Sequence, residues 1–267
     1  MKPFFIHCAM RKSYILFLLS ILIFGSSICN LSAQSNRFGS GKFGNANGDT
    51  LLYRQLFPDA NPKAKYPLVI FLHGSGERGK DNEAQLKWGA MQFATDQFMF
   101  QHPSIVIAPQ CPEGQQWSNF KRTANSTDIQ LLPNPSKPME LLLGLIKNAI
   151  QKLPVDPNRV YITGLSMGGF GVFDAITRAP ELFAAAVPVC GGGDTSMVNS
   201  FSKIPIWMFH GAQDGAVNPQ LSMNMAAALF KVGANPGLTM YPTVGHFSWL
   251  GAYVDQPMIE WMYGQHK

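Results

Sequence analysis

Cysteine is scarce in this chain, with only Cys8, Cys29, Cys111 and Cys190 among 267 residues. Cys8 and Cys29 fall in a leader-like N-terminus, so an exported form keeps two thiols, and a disulfide framework is excluded. Cys111 and Cys190 follow different expected strands that should not be neighbours. That favours free thiols over a single bridge, and neither cysteine has metal-ligand spacing. Charge is equally thin at 14 % of residues. Removing the first 33 residues takes Lys2, Arg11 and Lys12 and no acid, so 21 basic residues become 18 against 16 acidic ones, and the net charge falls from +5 to +2. A nearly balanced surface with scattered basic residues gives no electrostatic case for nucleic acid or an anionic membrane. No internal repeat is present, and 267 residues leave little room for a second domain beside one large α/β unit.

What is present begins with a basic start, the apolar run Tyr14–Phe24, and the small-residue exit Leu31-Ser32-Ala33. This pattern reads as a secretory signal peptide over 1–33, cut after Ala33, which implies a secreted or periplasmic protein. An uncleaved anchor is the alternative, but the run is short for the roughly 20 residues of a membrane span. Residues 34–50 are rich in Gly, Asn and Ser and read as a loose arm, leaving 51–267 as the folded domain. No membrane contact is expected once the leader is gone.

Within 51–267, short apolar segments bounded by Gly or Pro predict strands at 51–57, 68–72, 105–108, 160–163, 184–189, 206–209 and 238–241. Helical periodicity between them is clearest in Met139, Leu142, Leu143, Ile146, Ile150 and Leu153 after Pro138. Further helices are expected near 83–100, 168–178, 219–232 and 256–263. Strand and helix in alternation predict an α/β fold with a mostly parallel sheet covered on both faces. The segment 112–138 is long for a connection. It leaves the carboxyl end of a central strand, where ligands bind in open α/β sheets, so it is expected to border the site.

The residues that carry chemistry centre on Gly164-Leu165-Ser166-Met167-Gly168, which follows the strand Val160–Thr163. A serine on such a strand-to-helix turn projects its hydroxyl at the strand end, and the flanking glycines remove Cβ atoms that would block the approach. The pentapeptide alone is a weak signal. Acyl transfer also needs a base, a carboxylate to orient it, and donors for the developing oxyanion. His246 is the candidate base, in a Gly-His loop after the last expected strand, and Asp214 is the candidate acid, after the strand before it. Asp194 is its rival and Asp174 ranks lower, on the helix after the serine. The oxyanion donors are expected to be the backbone N–H of Met167 and that of Ser75, with Gly74 or Gly76 in reserve. His73 and His210 read as structural, and Glu77 with Arg78 as an ion pair bracing the oxyanion loop. Trp117, Gln110 and Trp249 are candidate substrate contacts, with Phe170 a further wall. Trp117 serves equally well as core.

Taken together, His73–Gly79, Ala108–Pro112, Thr163–Gly169, Phe209–Asp214 and Gly245–Trp249 resemble the phospholipase/carboxylesterase and "predicted peptidase" branch of the α/β-hydrolases. The resemblance runs from about Leu51 to the C-terminus. It implies an α/β-hydrolase fold without a large cap domain, a serine hydrolase that needs neither metal nor cofactor, and Ser166, Asp214 and His246 as its triad. Exported relatives of that branch include feruloyl and acetylxylan esterases, so a small-molecule or polysaccharide-borne ester, carbohydrate-linked or phenolic, is the implied substrate. A serine peptidase or amidase of the prolyl-oligopeptidase type, or a binding protein that keeps the fold without chemistry, are the alternatives. The chain has no room for the propeller domain of the former.

Overall fold

The computed structural model describes residues 37–59, 61, 63–121 and 126–267. The expected leader, its cut after Ala33 and the first residues of the arm lie outside these. Eight strands form one sheet: Gly39–Gly44 (β1), Thr50–Leu56 (β2), Tyr66–Leu72 (β3), Ile105–Gln110 (β4), Val155–Leu165 (β7), Ala185–Val189 (β8), Trp207–Gly211 (β9) and Gly237–Tyr241 (β10). Their order is β1-β2-β4-β3-β7-β8-β9-β10. β1 and β2 run antiparallel to their neighbours, while β3, β4, β7, β8, β9 and β10 are mutually parallel. Two further strands, Phe120–Lys121 (β5) and Gln130–Leu131 (β6), make a separate hairpin inside the long segment 112–138.

Side-chain alternation in β3 shows why the sheet is buried on both faces. Leu68, Ile70 and Leu72 join one hydrophobic cluster while Val69 and Phe71 join the other. The first cluster is closed by helices Lys137–Lys152 (α2), Met167–Arg178 (α3) and Gln220–Lys231 (α4) through Met139, Leu142, Phe173, Ile176, Met225 and Leu229. The second is closed by Asp96–Gln101 (α1), Trp249–Ala252 (α5) and Gln256–Tyr263 (α6), through Phe98, Ala252, Met258, Ile259 and Met262. α2 starts where the Ser136 hydroxyl accepts from Met139 N–H, with Pro138 in the first turn, where its missing N–H costs nothing. No helix among the described residues is long and apolar enough to cross a membrane.

Two sequence expectations change here. The arm expected over 34–50 contains β1, whose Gly39–Gly44 pairs in register with Thr50–Gln55 and forms the sheet edge. Its GSGKFG sequence lacks an apolar run, and the ladder to β2 supplies what composition does not. The helix expected over 83–100 is instead two short 3-10 turns, Ala84–Leu86 and Ala90–Ala94, followed by α1. Gly89 separates the two turns with φ +76°, and a Cβ there would lie 2.5 Å from the Tyr253 ring. The chain must therefore leave helical geometry at this point. Cys111 and Cys190 are buried free thiols.

Candidate active site

The parallel strands β3, β7, β9 and β10 deliver four loops to one edge of the sheet, the carboxyl edge on which α/β proteins build sites. At the end of β7 the chain turns directly into α3, and Ser166 sits between them with φ +54° and ψ −117°. That left-handed backbone is strained for a residue with a Cβ. It is held because Ser166 N–H donates to Val189 O at 2.9 Å and Phe170 N–H donates to Ser166 O at 3.1 Å. The neighbouring glycines allow the tight packing, since a Cβ on Gly168 would stand 2.0 Å from Leu72 O, and one on Gly164 2.6 Å from Gly168 O.

β9 and β10 place the two expected partners. His246 Nε2 lies 2.9 Å from Ser166 Oγ, and His246 Nδ1 lies 2.8 Å from Asp214 Oδ2. The other carboxylate oxygen, Asp214 Oδ1, accepts from Ala216 and Val217 N–H at 2.9 Å each, which aims the carboxylate at the ring. The two loops are also joined backbone to backbone. Gln213 N–H donates to Val244 O at 3.0 Å, and a Cβ on Gly211 would stand 2.1 Å from Gly245 O. Asp194 is occupied elsewhere, capping Ser196 N–H at 2.9 Å and accepting from Leu131 N–H at 2.9 Å. Asp174 pairs with Arg178 and accepts from Asn119 N–H.

Beside Ser166 opens a cavity of about 220 Å³ lined by Ser75, Arg78, Gln116, Ser118, Phe120, Met167 and Phe170. Met167 is the first residue of α3, so its N–H is among those a helix cannot pair internally, and Ser75 likewise opens the 3-10 turn Ser75–Glu77. Both expected oxyanion donors thus border the same space as the serine hydroxyl. The long segment 112–138 does border the site, through Gln116, Ser118 and Phe120. Sequence reading placed the segment there but not those residues, and its only pointer was a long excursion leaving β4.

A model of the phospholipase/carboxylesterase family matches residues 59–252. The chain belongs to that family. Its fold is the α/β-hydrolase fold. It is similar to poly(3-hydroxyalkanoate) depolymerase C of Paucimonas lemoignei, 29 % identical over 196 residues, covering 72 % of this chain and 43 % of that protein. It also resembles probable acetylxylan esterase A of Neosartorya fischeri, 25 % identical over 212 residues, covering 78 % of this chain and 52 % of that protein. Among solved structures, a thermostable esterase superposes with a TM-score of 0.80 at 39 % identity, covering 88 % of this chain and 64 % of that one. The chain thus spans less than two thirds of each of these three proteins.

Three residues that looked like substrate contacts in the sequence are turned inward. Trp117 is fully buried under the site, with its indole N–H donating to His73 O at 3.1 Å. Gln110, also buried, donates to Glu77 O and Asp81 Oδ1 and accepts from Asn82 N–H, tying β4 to the end of the oxyanion loop. Trp249 is buried too and packs edge-on against the imidazole of His246, the candidate base, with ring centroids 5.1 Å apart. In each case a strand end or loop turned inward, which composition does not reveal. Nor do Glu77 and Arg78 form an ion pair. Arg78 donates to Ser75 O and Gln115 O, clamping the oxyanion turn to the long segment. Glu77 lies inside, where burial pushes its carboxyl up against the opposing pull of Lys87.

Both other histidines near the strand ends are structural in their contacts. His73 Nε2 accepts from Cys111 N–H at 2.9 Å, so Nδ1 carries the proton and donates to Gly74 O at 2.6 Å. Burial pushes its pKa down to about 4, so the ring is neutral. Burial likewise lowers His210, whose ring contacts Ser222 Oγ and Val217 O behind Asp214. Among the described residues, Cys190, Asp214 and His246 are the group whose ligand-type atoms cluster, within 4.8 Å of one another. Asp214 and His246 are engaged with each other, and burial pushes the Cys190 thiol up to about 12. These donors suit hydrogen bonding better than metal ligation.

Proposed function

We propose that this chain is an exported serine carboxylic-ester hydrolase acting through Ser166, His246 and Asp214. The observation that carries the reading is the continuous hydrogen-bond chain from Ser166 Oγ through His246 to Asp214, 2.9 and 2.8 Å, opening on a cavity. In the reaction, His246 Nε2 takes the hydroxyl proton as Ser166 Oγ attacks the ester carbonyl, and Asp214 stabilises the imidazolium that forms. The N–H groups of Met167 and Ser75 receive the oxyanion. Collapse expels the alcohol, which takes its proton from Nε2, and leaves an acyl-serine. Water activated by the same Nε2 releases the acid and restores the serine.

A carbohydrate-linked or phenolic ester is the substrate class in view. The name of the acetylxylan esterase relative supports the carbohydrate branch, and the cavity beside Ser166 suits a small acyl group. Export follows from the leader over 1–33, and sequencing the N-terminus of protein recovered outside the cytoplasm should begin at Gln34. The decisive experiment is Ser166→Ala. It should abolish hydrolysis of a short p-nitrophenyl ester while leaving the thermal transition in place, and retained turnover would end the proposal. Faster turnover of an amide with the same acyl group would favour a peptidase or amidase. Failure of a fluorophosphonate to label Ser166 in folded protein would favour a binding role.

A further inference from the structure

The groups around Ser166 fall into two sets that share no member. One lines the cavity already described, with Ser75, Arg78 and Phe120 among its walls. The other lies beyond His246. Phe247, the next residue, is 53 % exposed, Leu250 57 % and Val254 55 %, all large apolar side chains. Their spacing of three and four residues puts them on one side of the helical turns through α5. Phe247 packs on Trp249 with centroids 4.8 Å apart, and Trp88 packs on both, at 6.0 and 6.2 Å. Lys87 Nζ lies over the Trp88 ring, 5.1 Å from its centroid. Trp88 also hydrogen-bonds the buried Glu77 carboxyl, which ties the shelf to the oxyanion turn. This shelf is an exposed apolar patch joined through Trp249 to the base.

The chemistry decides what such a shelf would meet. When the tetrahedral intermediate collapses, the bond from carbon to the leaving oxygen breaks, its electron pair stays on that oxygen, and the proton on His246 Nε2 moves to it. The leaving oxygen must therefore lie within hydrogen-bond reach of Nε2, on the side of the carbonyl carbon that faces His246. The acyl portion is then left to the cavity on the other side. A sugar ring can stack on an aromatic face but also needs donors and acceptors around its hydroxyls; Phe247, Leu250 and Val254 carry none, and Lys87 already lies over the Trp88 ring.

We propose that Trp88, Phe247 and Leu250 form the alcohol-side subsite, and that it selects an apolar alcohol portion, aryl or alkyl, over a carbohydrate. This inference rests on the esterase reading above and sets aside a carbohydrate as the alcohol portion. The test holds the acyl group constant and varies the alcohol through methyl, butyl and benzyl acetate and an acetylated methyl xyloside, with kcat/KM read for each. Benzyl or butyl acetate should exceed methyl acetate by about tenfold in the unaltered protein, the return expected from partly burying a few carbons. Phe247→Ser should shrink that ratio to about twofold, while the ratio of methyl acetate to methyl butyrate, which reads the acyl side, stays where it was. A flat alcohol series, a preference for the xyloside, or an undiminished ratio in Phe247→Ser would overturn the proposal even with Ser166 labelled by fluorophosphonate. A second measurement needs no turnover. Benzyl alcohol titrated into Ser166→Ala protein should change tryptophan fluorescence saturably, and Phe247→Ser in that background should remove the change. No saturable change there rejects the shelf independently of whether the esterase reading stands.

Discussion

At the scale of single residues the site depends on side chains held by backbone groups. Asp214 illustrates this, because two main-chain N–H groups fix one oxygen and leave the other for His246. Asp214→Asn keeps the shape but presents an amide to Nδ1. It should lower kcat by about four orders of magnitude, whereas Asp194→Asn, which keeps one carbonyl oxygen for either the Ser196 cap or the bond from Leu131 N–H, should stay within about threefold; steady-state kinetics on one p-nitrophenyl ester separates them. His73 carries a prediction about pH. Protonating it would set a second N–H against Cys111 N–H in a buried place, and its pKa is accordingly about 4 in the fold against 6.5 when solvated. Between those values the unfolded chain binds the proton that the folded chain refuses. Stability is therefore full above pH 6.5 and is lost as pH falls towards 4, by roughly 3 kcal/mol from this group. Urea midpoints at pH 7.5, 6 and 5 should decline, and the decline should be shallower in His73→Gln.

At the scale of elements, the hairpin of β5 and β6 is held by a few charged side chains. Arg178, on the last turn of α3, pairs with Asp174 and donates to Leu132 O, Pro133 O and Asn134 O, while Asp194 accepts from Leu131 N–H. The helix that begins beside the serine therefore also anchors the wall that carries Ser118 and Phe120. Arg178→Lys preserves the charge beside Asp174 but loses the fork, since an ammonium cannot reach three carbonyls in fixed geometry. It should raise KM about three- to tenfold with little change in kcat, measured on a short ester. The same elements show what a sequence can disclose. β3, β4, β8 and β9 were legible as short apolar runs between turn residues, β7 through its apolar end Val160–Thr163 only, and Ser166, Asp214 and His246 because each follows an expected strand. β1 was not, because its partner rather than its composition makes it a strand. The break at Gly89 was hidden too, because the rings of Tyr253 and Phe71 that crowd it come from distant parts of the chain. Trp117 and Gln110 looked available for the same reason, since only the assembled loops show them turned inward.

At the scale of the whole molecule, two hydrophobic clusters sandwich one sheet, and among the described residues cohesion rests on burial rather than on disulfides. Cys111 and Cys190 are both fully buried and unpaired, and burial pushes both thiols up to about 12. In protein lacking residues 1–33, and so Cys8 and Cys29, melting temperature should therefore be the same with and without dithiothreitol, and folded protein should react with Ellman's reagent only after denaturation; a drop in melting temperature on reduction would contradict the free-thiol state. The last residue is fastened as well, with Lys267 N–H donating to Asn158 O at 3.1 Å and Lys267 Nζ to Glu181 O at 2.9 Å.

The close approach of Gly211 to Gly245 has a consequence for anyone who would rebuild this chemistry elsewhere. Acid and base belong to loops that touch through bare backbone, so their alignment is a property of two main chains lying closer than any Cβ permits. Grafting Ser166, Asp214 and His246 onto another scaffold would copy the tools without the jig. A transplant that keeps both glycines and the hydrogen bond from Gln213 to Val244 carries the alignment with it.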